Sequence, residues 1–476
     1  MIILYKQYIN GSCIEGDGSI IKVVNPATEE IVTEFKGASS VQTETALTAA
    51  YKAFKTWSKL SINERNTWIE KLRIKLLEEK NNMVNILISE TGKTTEDAEY
   101  DFGMLILCLS YYQEEAKRVY GETIPDYDDN FKNIIVKKPR GVIAAHLAWN
   151  FPLLNVGYKL GPSLASGCTC ILKPSKETPL TTLYIGKVAE SIDFPEGVIN
   201  IISGLSSEVA ATINGSKIPS LITLIGSTET GLKIVEQSST SIKHFSLELG
   251  GNAPAVVTEH AKIEDAAKKL VDLKFTNAGQ VCVSPNRIFV HSSVYDTFIK
   301  YAKEFAEKVV LGAGSDEGAM MGPLLTDRAR TRMLGLIEDA VNHGAKVITG
   351  GKKPEDHDKG YYLLPTILTD VDKDMKVYRE EIFGPIMGIA KFDTIEEVIE
   401  KANDTEYGLT SYVFSENLSE VMKLSEAIDA GTVCVNEPYY AINQPHGGVK
   451  QSGIGKDCSK YSLEEYFTLK RISLRV

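Results

Sequence analysis

Basic charge is in deficit along this 476-residue chain: 52 lysines and arginines stand against 63 aspartates and glutamates, a formal net charge of −11. A surface of that sign repels nucleic-acid phosphates, and no basic stripe offsets it, so nucleic acid is excluded as a partner. Cysteine is sparse as well. The seven present are odd in number, spread along the chain and never spaced as C-x-x-C, which suits a reducing cytosol better than a disulfide scaffold. The seven histidines form no H-E-x-x-H or similar cluster, so no metal is expected. No stretch approaches the roughly 20 apolar residues that a membrane helix needs. The opening MIILYKQYINGS lacks a basic start and a small-residue cleavage site, and Lys6 and Gln7 interrupt it early. A soluble, cytoplasmic protein with no membrane attachment is expected. The G-x-G-x-x-G turn of ordinary dinucleotide-binding folds is missing too.

What is present is ample apolar material, 43% of the chain, enough for more than one core. Ala46, Ala49, Ala50, Ala53, Phe54 and Trp57 recur at helical spacing, as do Trp68, Ile69, Leu72, Leu76 and Leu77, which predicts a largely helical first hundred residues. From residue 141, strand-like GVIAAHL, CTCILK, VINIIS and SLITLIG alternate with helix-like segments. That alternation predicts an α/β fold with a parallel, doubly wound sheet. A second unit of the same mixed character starts near Gly250. Tyr120 to Lys138 and Tyr466 to Val476 alternate apolar and polar residues like exposed strands, whose edges invite another subunit.

Three segments carry chemistry. In FTNAGQVCVSPNR, Phe275 to Arg287, Cys282 sits among small and polar residues, a setting suited to a thiolate nucleophile with room for a substrate carbonyl. In LELGGNAP, Glu248 lies inside an apolar run before paired glycines; a carboxyl buried there can take a proton from water near neutral pH. In WNFPLLNVGYK, Asn150 follows the GVIAAHL strand, where α/β enzymes place site residues. Its amide can donate to an oxygen that turns negative when a nucleophile adds to a carbonyl. Each residue has a plain alternative: a buried small hydrophobe for the cysteine, a cap or ion-pair partner for the glutamate, a turn before Pro152 for the asparagine.

Taken together, in the chain order Asn150, Glu248, Cys282, the three resemble the aldehyde dehydrogenase superfamily. Further matching runs are NPATEE at 25–30, LKPS at 172–175, GSTETG at 226–231, EEIFGP at 380–385 and GGVKQSGIGK at 447–456. The resemblance implies a Rossmann-like NAD(P)-binding domain over 1–119 and 140–249, a catalytic domain over 250–447, and an oligomerisation arm from 120–139 and 448–476, hence a homodimer or homotetramer. It implies Cys282 as nucleophile, the Asn150 amide with the Cys282 backbone N–H as oxyanion donors, Glu248 as the base that activates water against a thioester, and Lys159 near the nicotinamide ribose and Glu248. It places the dinucleotide on Trp149, Lys173, Ser175, Lys176, Gly226, Ser227, Gly231, Glu381 and Phe383. Gly226 to Gly231 opens a helix whose N–H groups can receive a pyrophosphate, with Ser227 adding a hydroxyl. No metal is implied.

Two departures from the family pattern point further. NAD-preferring relatives carry a glutamate three residues after the LKPS lysine, where this chain has Lys176; an ammonium there attracts a 2′-phosphate, so NADP is favoured over NAD. Relatives that oxidise carboxylated aldehydes hold the carboxylate with arginines where this chain has Tyr158 and Thr276. A pocket of Phe151, Tyr158, Val281 and Val283, with Tyr439 or Tyr440, suits neutral aliphatic, hydroxylated or aromatic aldehydes such as glyceraldehyde or lactaldehyde. The alternatives are succinate semialdehyde, an aminoaldehyde with Asp101 as one acidic contact, and a noncatalytic structural member of the family.

Overall fold

The computed structural model describes residues 5–314 and 316–476. Two large sheets, each with parallel strands at its centre and helices on its faces, organise the chain. In the first, Gly453–Ile454, His244–Glu248, Pro219–Ile225, Val142–His146, Thr169–Lys173, Ile199–Ile201, Gln7–Ile9 and Ser12–Ile14 lie side by side in that order. The five strands from His244–Glu248 to Ile199–Ile201 run parallel; the two pairs at one edge and the single pair at the other are antiparallel. The second sheet has the order Lys346–Thr349, Thr366–Thr369, Ile386–Phe392, Pro285–His291, Ala253–Val257, Thr410–Phe414, Thr432–Val435. Only its Lys346–Thr349 edge is antiparallel.

Strands buried on both faces read as unbroken apolar runs, as Val142–His146 and Ala253–Val257 do. One face of the first sheet packs with the helices of 62–116 and 152–191 in a large core, the other face packs with the helix Ser40–Trp57 in a smaller one, and the second sheet has a core of its own. Helices start where the sequence supplies caps: Ser39 accepts from Gln42 N–H, and Ser61 with Glu64 closes a capping box. The helix Thr95–Ala116 lies against Pro152–Ser166. Gly157 and Gly161 make that approach possible, since a Cβ at either would stand 3.0 Å from Cys108 or 2.7 Å from Tyr112.

A third, small sheet joins Phe467–Arg475, Phe131–Pro139 and Glu122–Ile124, all antiparallel. Two expectations need correction. Residues 7–36 form four short strands ahead of the first helix, too brief for periodicity to register. Residues 453–454 do not join the small sheet; they extend the first one beside His244–Glu248.

Candidate active site and dinucleotide cleft

Parallel strands of one sheet all end on the same edge, and their carboxyl ends collect loops there. In the first sheet this edge carries Asn150, four residues after Val142–His146, Lys173 at the end of its strand, Gly226 and Ser227 after Pro219–Ile225, and Glu248 closing His244–Glu248. The second sheet meets it with Cys282, just before Pro285–His291, and Glu381, just before Ile386–Phe392. Glycine permits close backbone approaches around the cysteine: a Cβ on Gly251 would stand 2.4 Å from the Cys282 carbonyl oxygen, and one on Gly279 2.2 Å from that of Gly384.

Backbone strain marks the approach to the cysteine. Asn277, Ala278 and Gly279 are consecutively left-handed, with φ of 50°, 55° and 70°, a run that non-glycine residues adopt only when their surroundings force it. The Asn277 amide supplies part of that force by donating to Asn150 O and Gln280 O, both at 3.2 Å. Asn150 Nδ2 donates to Gln280 O at 3.1 Å. An amide NH2 has two hydrogens, so one remains for the site.

Cys282 is where two cavities meet. One, of about 660 Å³, is lined by Asn150, Glu248, Cys282 and the four expected pocket residues Phe151, Tyr158, Val281 and Val283. Thr276, Tyr439 and Tyr440 line it as well. The other, of about 960 Å³, shares Asn150 and Cys282 and runs past Trp149, Lys173, Ser175, Lys176, Gly226, Ser227, Glu381 and Phe383. Burial, then the nearby Glu248 and Glu381 charges, push the Cys282 thiol well above its usual range, while the Cys282 and Val283 N–H groups work the other way. The resting group is therefore a thiol, and attack requires that its proton leave.

The two cavities differ in charge. Four carboxylates line the smaller one, Glu96, Asp97, Glu248 and Asp272, against Lys268 and His446 and no arginine. Lys268 is already paired with Asp272 at 2.5 Å. The larger cleft has Lys173, Lys176, Lys233, Arg328 and Arg332 against Glu177 and Glu381. A dinucleotide fits it: the helix Thr228–Gln237 presents its positive end there, with Ser227 as N-cap accepting from Thr230 N–H. Lys173 is buried and pushed down to about 8 by that burial, still a cation at neutral pH. Burial raises Glu381 to about 7, and its carboxylate accepts from Gly251 N–H at 2.9 Å. Trp149 and Phe383 meet edge to face, ring centroids 5.3 Å apart. Ser175 donates to Glu177, and half-exposed Lys176 lies 3.7 Å from the same carboxylate.

Three expected residues stand elsewhere. Lys159 lines neither cavity; it is buried, and its ammonium is held by both oxygens of Asp457 at 2.5 and 2.7 Å. Gly231 faces Leu249, where a Cβ would come within 2.9 Å, so it lets the helix close on the sheet and does not line the cleft. Asp101 turns away from the substrate side: it is fully buried, paired with Lys93 at 2.9 Å and accepting from Leu154 N–H. Lys93 in turn sits 3.7 Å from the Phe151 ring centre, which fixes that wall of the pocket. Asp457, Glu96, Asp97 and His446 were not singled out by the sequence. Glu96 and Asp97 had a local signal, since both lie in the first turn of a helix capped by Thr94. His446 had none beyond the P-H-G-G turn.

The profile of the aldehyde dehydrogenase family matches residues 13–472. The glutarate-semialdehyde dehydrogenase of Pseudomonas putida is 37% identical, over 99% of this chain and 98% of its own. The NADP(+) succinate-semialdehyde dehydrogenase of Escherichia coli is 36% identical over 98% and 97%. The solved structure of an Escherichia coli NADP-dependent enzyme superposes with a TM-score of 0.97 at 35% identity, over 99% and 98%. No helix among the described residues is long and apolar enough to cross a membrane. With a thiol, a carboxylate and an amide converging between a substrate cavity and a dinucleotide cleft, and a match spanning almost its full length, this chain belongs to the aldehyde dehydrogenase family: it is an NAD(P)-dependent oxidoreductase acting on aldehydes.

Proposed function

We propose that the enzyme oxidises small neutral aldehydes, hydroxylated or aromatic, such as glyceraldehyde or lactaldehyde, to the carboxylic acid. The carrying observation is the charge of the cavity over Cys282: four carboxylates and no arginine. A distal carboxylate on the substrate would meet like charge and find no bidentate partner. The relatives named for glutarate and succinate semialdehydes act on such substrates; Tyr158 and Thr276 support a different preference here. A second reading, an aminoaldehyde, is favoured by Glu96 and Asp272, which lie exposed at the outer part of the same cavity.

In the proposed mechanism the Cys282 thiol gives its proton to solvent, the thiolate adds to the aldehyde carbon, and the free N–H of the Asn150 amide with the Cys282 backbone N–H holds the oxyanion. A dinucleotide held in the larger cleft would supply the hydride acceptor for this adduct. That leaves a thioester on Cys282. Glu248 takes a proton from water, the resulting hydroxide adds to the thioester carbonyl, and the acid departs as Cys282 is released. Lys159 acts only through Asp457, to which it is bound. Lys173, Ser175, Lys176, Gly226, Ser227, Trp149, Glu381 and Phe383 bind the dinucleotide, with NADP favoured. We also propose that the small sheet joins copies of the chain into a dimer or a tetramer.

A panel of neutral, amino- and carboxy-aldehydes, scored by NADPH formation with wild type and Cys282→Ala, tests the reading. Wild type is expected to give its highest kcat/KM with a neutral hydroxyaldehyde, and Cys282→Ala to be inactive with every aldehyde while still binding NADP. A best substrate bearing a carboxylate overturns the substrate assignment.

A further inference from the structure

His446 stands beside Glu248 with no part in the chemistry above. Its Nε2 lies 3.5 Å from Glu248 Oε1, and that nitrogen, the carboxylate and the Cys282 sulfur are all within 4.8 Å of one another. Glu248 Oε1 is buried and makes no conventional hydrogen bond. The main chain sets the placement: His446 N–H donates to Asp457 O at 2.8 Å, and Asp457 N–H donates back to His446 O at 2.6 Å. The imidazole rests against Tyr158 and Tyr440, ring centroids 6.5 and 6.0 Å away.

We infer that His446 is a positioning residue that shares one proton with Glu248 and so keeps the carboxylate ionised and aimed at the bond formed on Cys282. The inference rests on the proposed roles of Glu248 and Cys282. The titratable groups facing the imidazole divide in its favour. Glu248 comes from the first sheet, Lys159 and Tyr158 from the helix Pro152–Ser166, Tyr440 from the preceding loop, and Lys456, Asp457 and Cys458 from the segment that follows. Lys159 already occupies both oxygens of Asp457, which leaves Glu248 as the carboxylate free to hold an imidazolium. Burial alone pushes the His446 pKa down; the Glu248 carboxylate 3.5 Å away, with help from Asp457 and against Lys159, reverses this, and the net shift is upward. An imidazolium this close also draws down the neighbouring thiol.

The test compares full-length wild type, His446→Gln and His446→Phe with saturating NADP and the best aldehyde of the panel. Because backbone atoms make the link to Asp457, neither substitution removes it. In both variants the acid limb of kcat is expected to move up by about one pH unit, roughly tenfold in proton concentration. The midpoint for alkylation of Cys282 by iodoacetamide is expected to rise as well, and kcat to change more than KM. In wild type, selectively labelled His446 is expected to titrate above an ordinary histidine's value of about 6.5, a readout that needs no variant. Unmoved pH midpoints, or a His446 that is neutral at pH 7, overturn the inference. Aldehyde oxidation that survives in Cys282→Ala strikes the underlying assignment of the nucleophile instead, so the two failures are distinct.

Discussion

At the scale of single residues, division of labour between Cys282 and Glu248 has a kinetic signature. In the proposed mechanism, formation of the thioester draws on the thiol and the Asn150 amide, whereas its hydrolysis draws on Glu248. Glu248→Gln keeps the volume of the side chain and removes its ability to accept a proton, so the first turnover is expected to proceed and the second to stall. Stopped-flow absorbance should show a burst of NADPH near one equivalent per site, followed by a steady state slowed about 10²–10⁴-fold, the range of general-base catalysis. A steady state equal to that of wild type would remove Glu248 from hydrolysis. The three residues so engaged were legible because each sits in a short, distinctive run. The partners of Asp101 and Lys159 were not legible, for the opposite reason. Their roles depend on partners the local sequence does not name: Lys93 from the preceding loop and Asp457, 298 residues downstream. His446 was invisible, since its nearness to Glu248 follows from the pairing of Gly453–Ile454 with His244–Glu248.

Among elements, the buried parallel strands and long amphipathic helices could be read directly, because an apolar run or a 3.6-residue period extends over several turns or strand steps. One of the helix-like segments between those strand runs, LTTLYIGKVAES, forms the helix Leu180–Ser191. The strands at 7–14 escaped notice because each is three residues long. The loop after Thr169–Lys173 shows what an element's end can decide. It carries Lys176, whose side chain is 56% exposed and only loosely paired with Glu177, so the pairing costs little to break. A 2′-phosphate in the cleft offers that ammonium a stronger partner. Wild type is therefore expected to have a higher kcat/KM with NADP than with NAD, and Lys176→Glu to lower the ratio of the two by about tenfold or more, in line with about 1.5–3 kcal/mol for a charged hydrogen bond. The measurement is steady-state kinetics with both cofactors at a fixed aldehyde concentration. A wild type that prefers NAD would show that Glu177, not Lys176, governs the ribose.

Over the whole molecule, charge is partitioned more sharply than the net value of −11 suggests. The acidic balance dominates the cavity over Cys282, while the larger cleft gathers five cations, an arrangement that supports the proposed phosphate-bearing cofactor and the proposed preference against an anionic substrate. Beyond Phe467, which packs against the large core, the terminal strand of the small sheet has few reasons to be apolar in water. Yet Ile472, Leu474 and Val476, which alternate onto one face, are 37%, 45% and 65% exposed. Phe467–Arg475 is also an outer strand, paired on one side only within the chain. An apolar edge of this length would template aggregation unless another copy covers it. Replacing Ile472 and Leu474 together by aspartate places two charges on that face and leaves the hydrogen bonds to Phe131–Pro139 intact. Light scattering coupled to size exclusion should then report a smaller assembly than wild type at equal concentration. Neither cavity is lined by a residue of the substituted strand, and the released species is expected to stay folded by circular dichroism. An unchanged mass in the double variant would place the subunit contact on another surface.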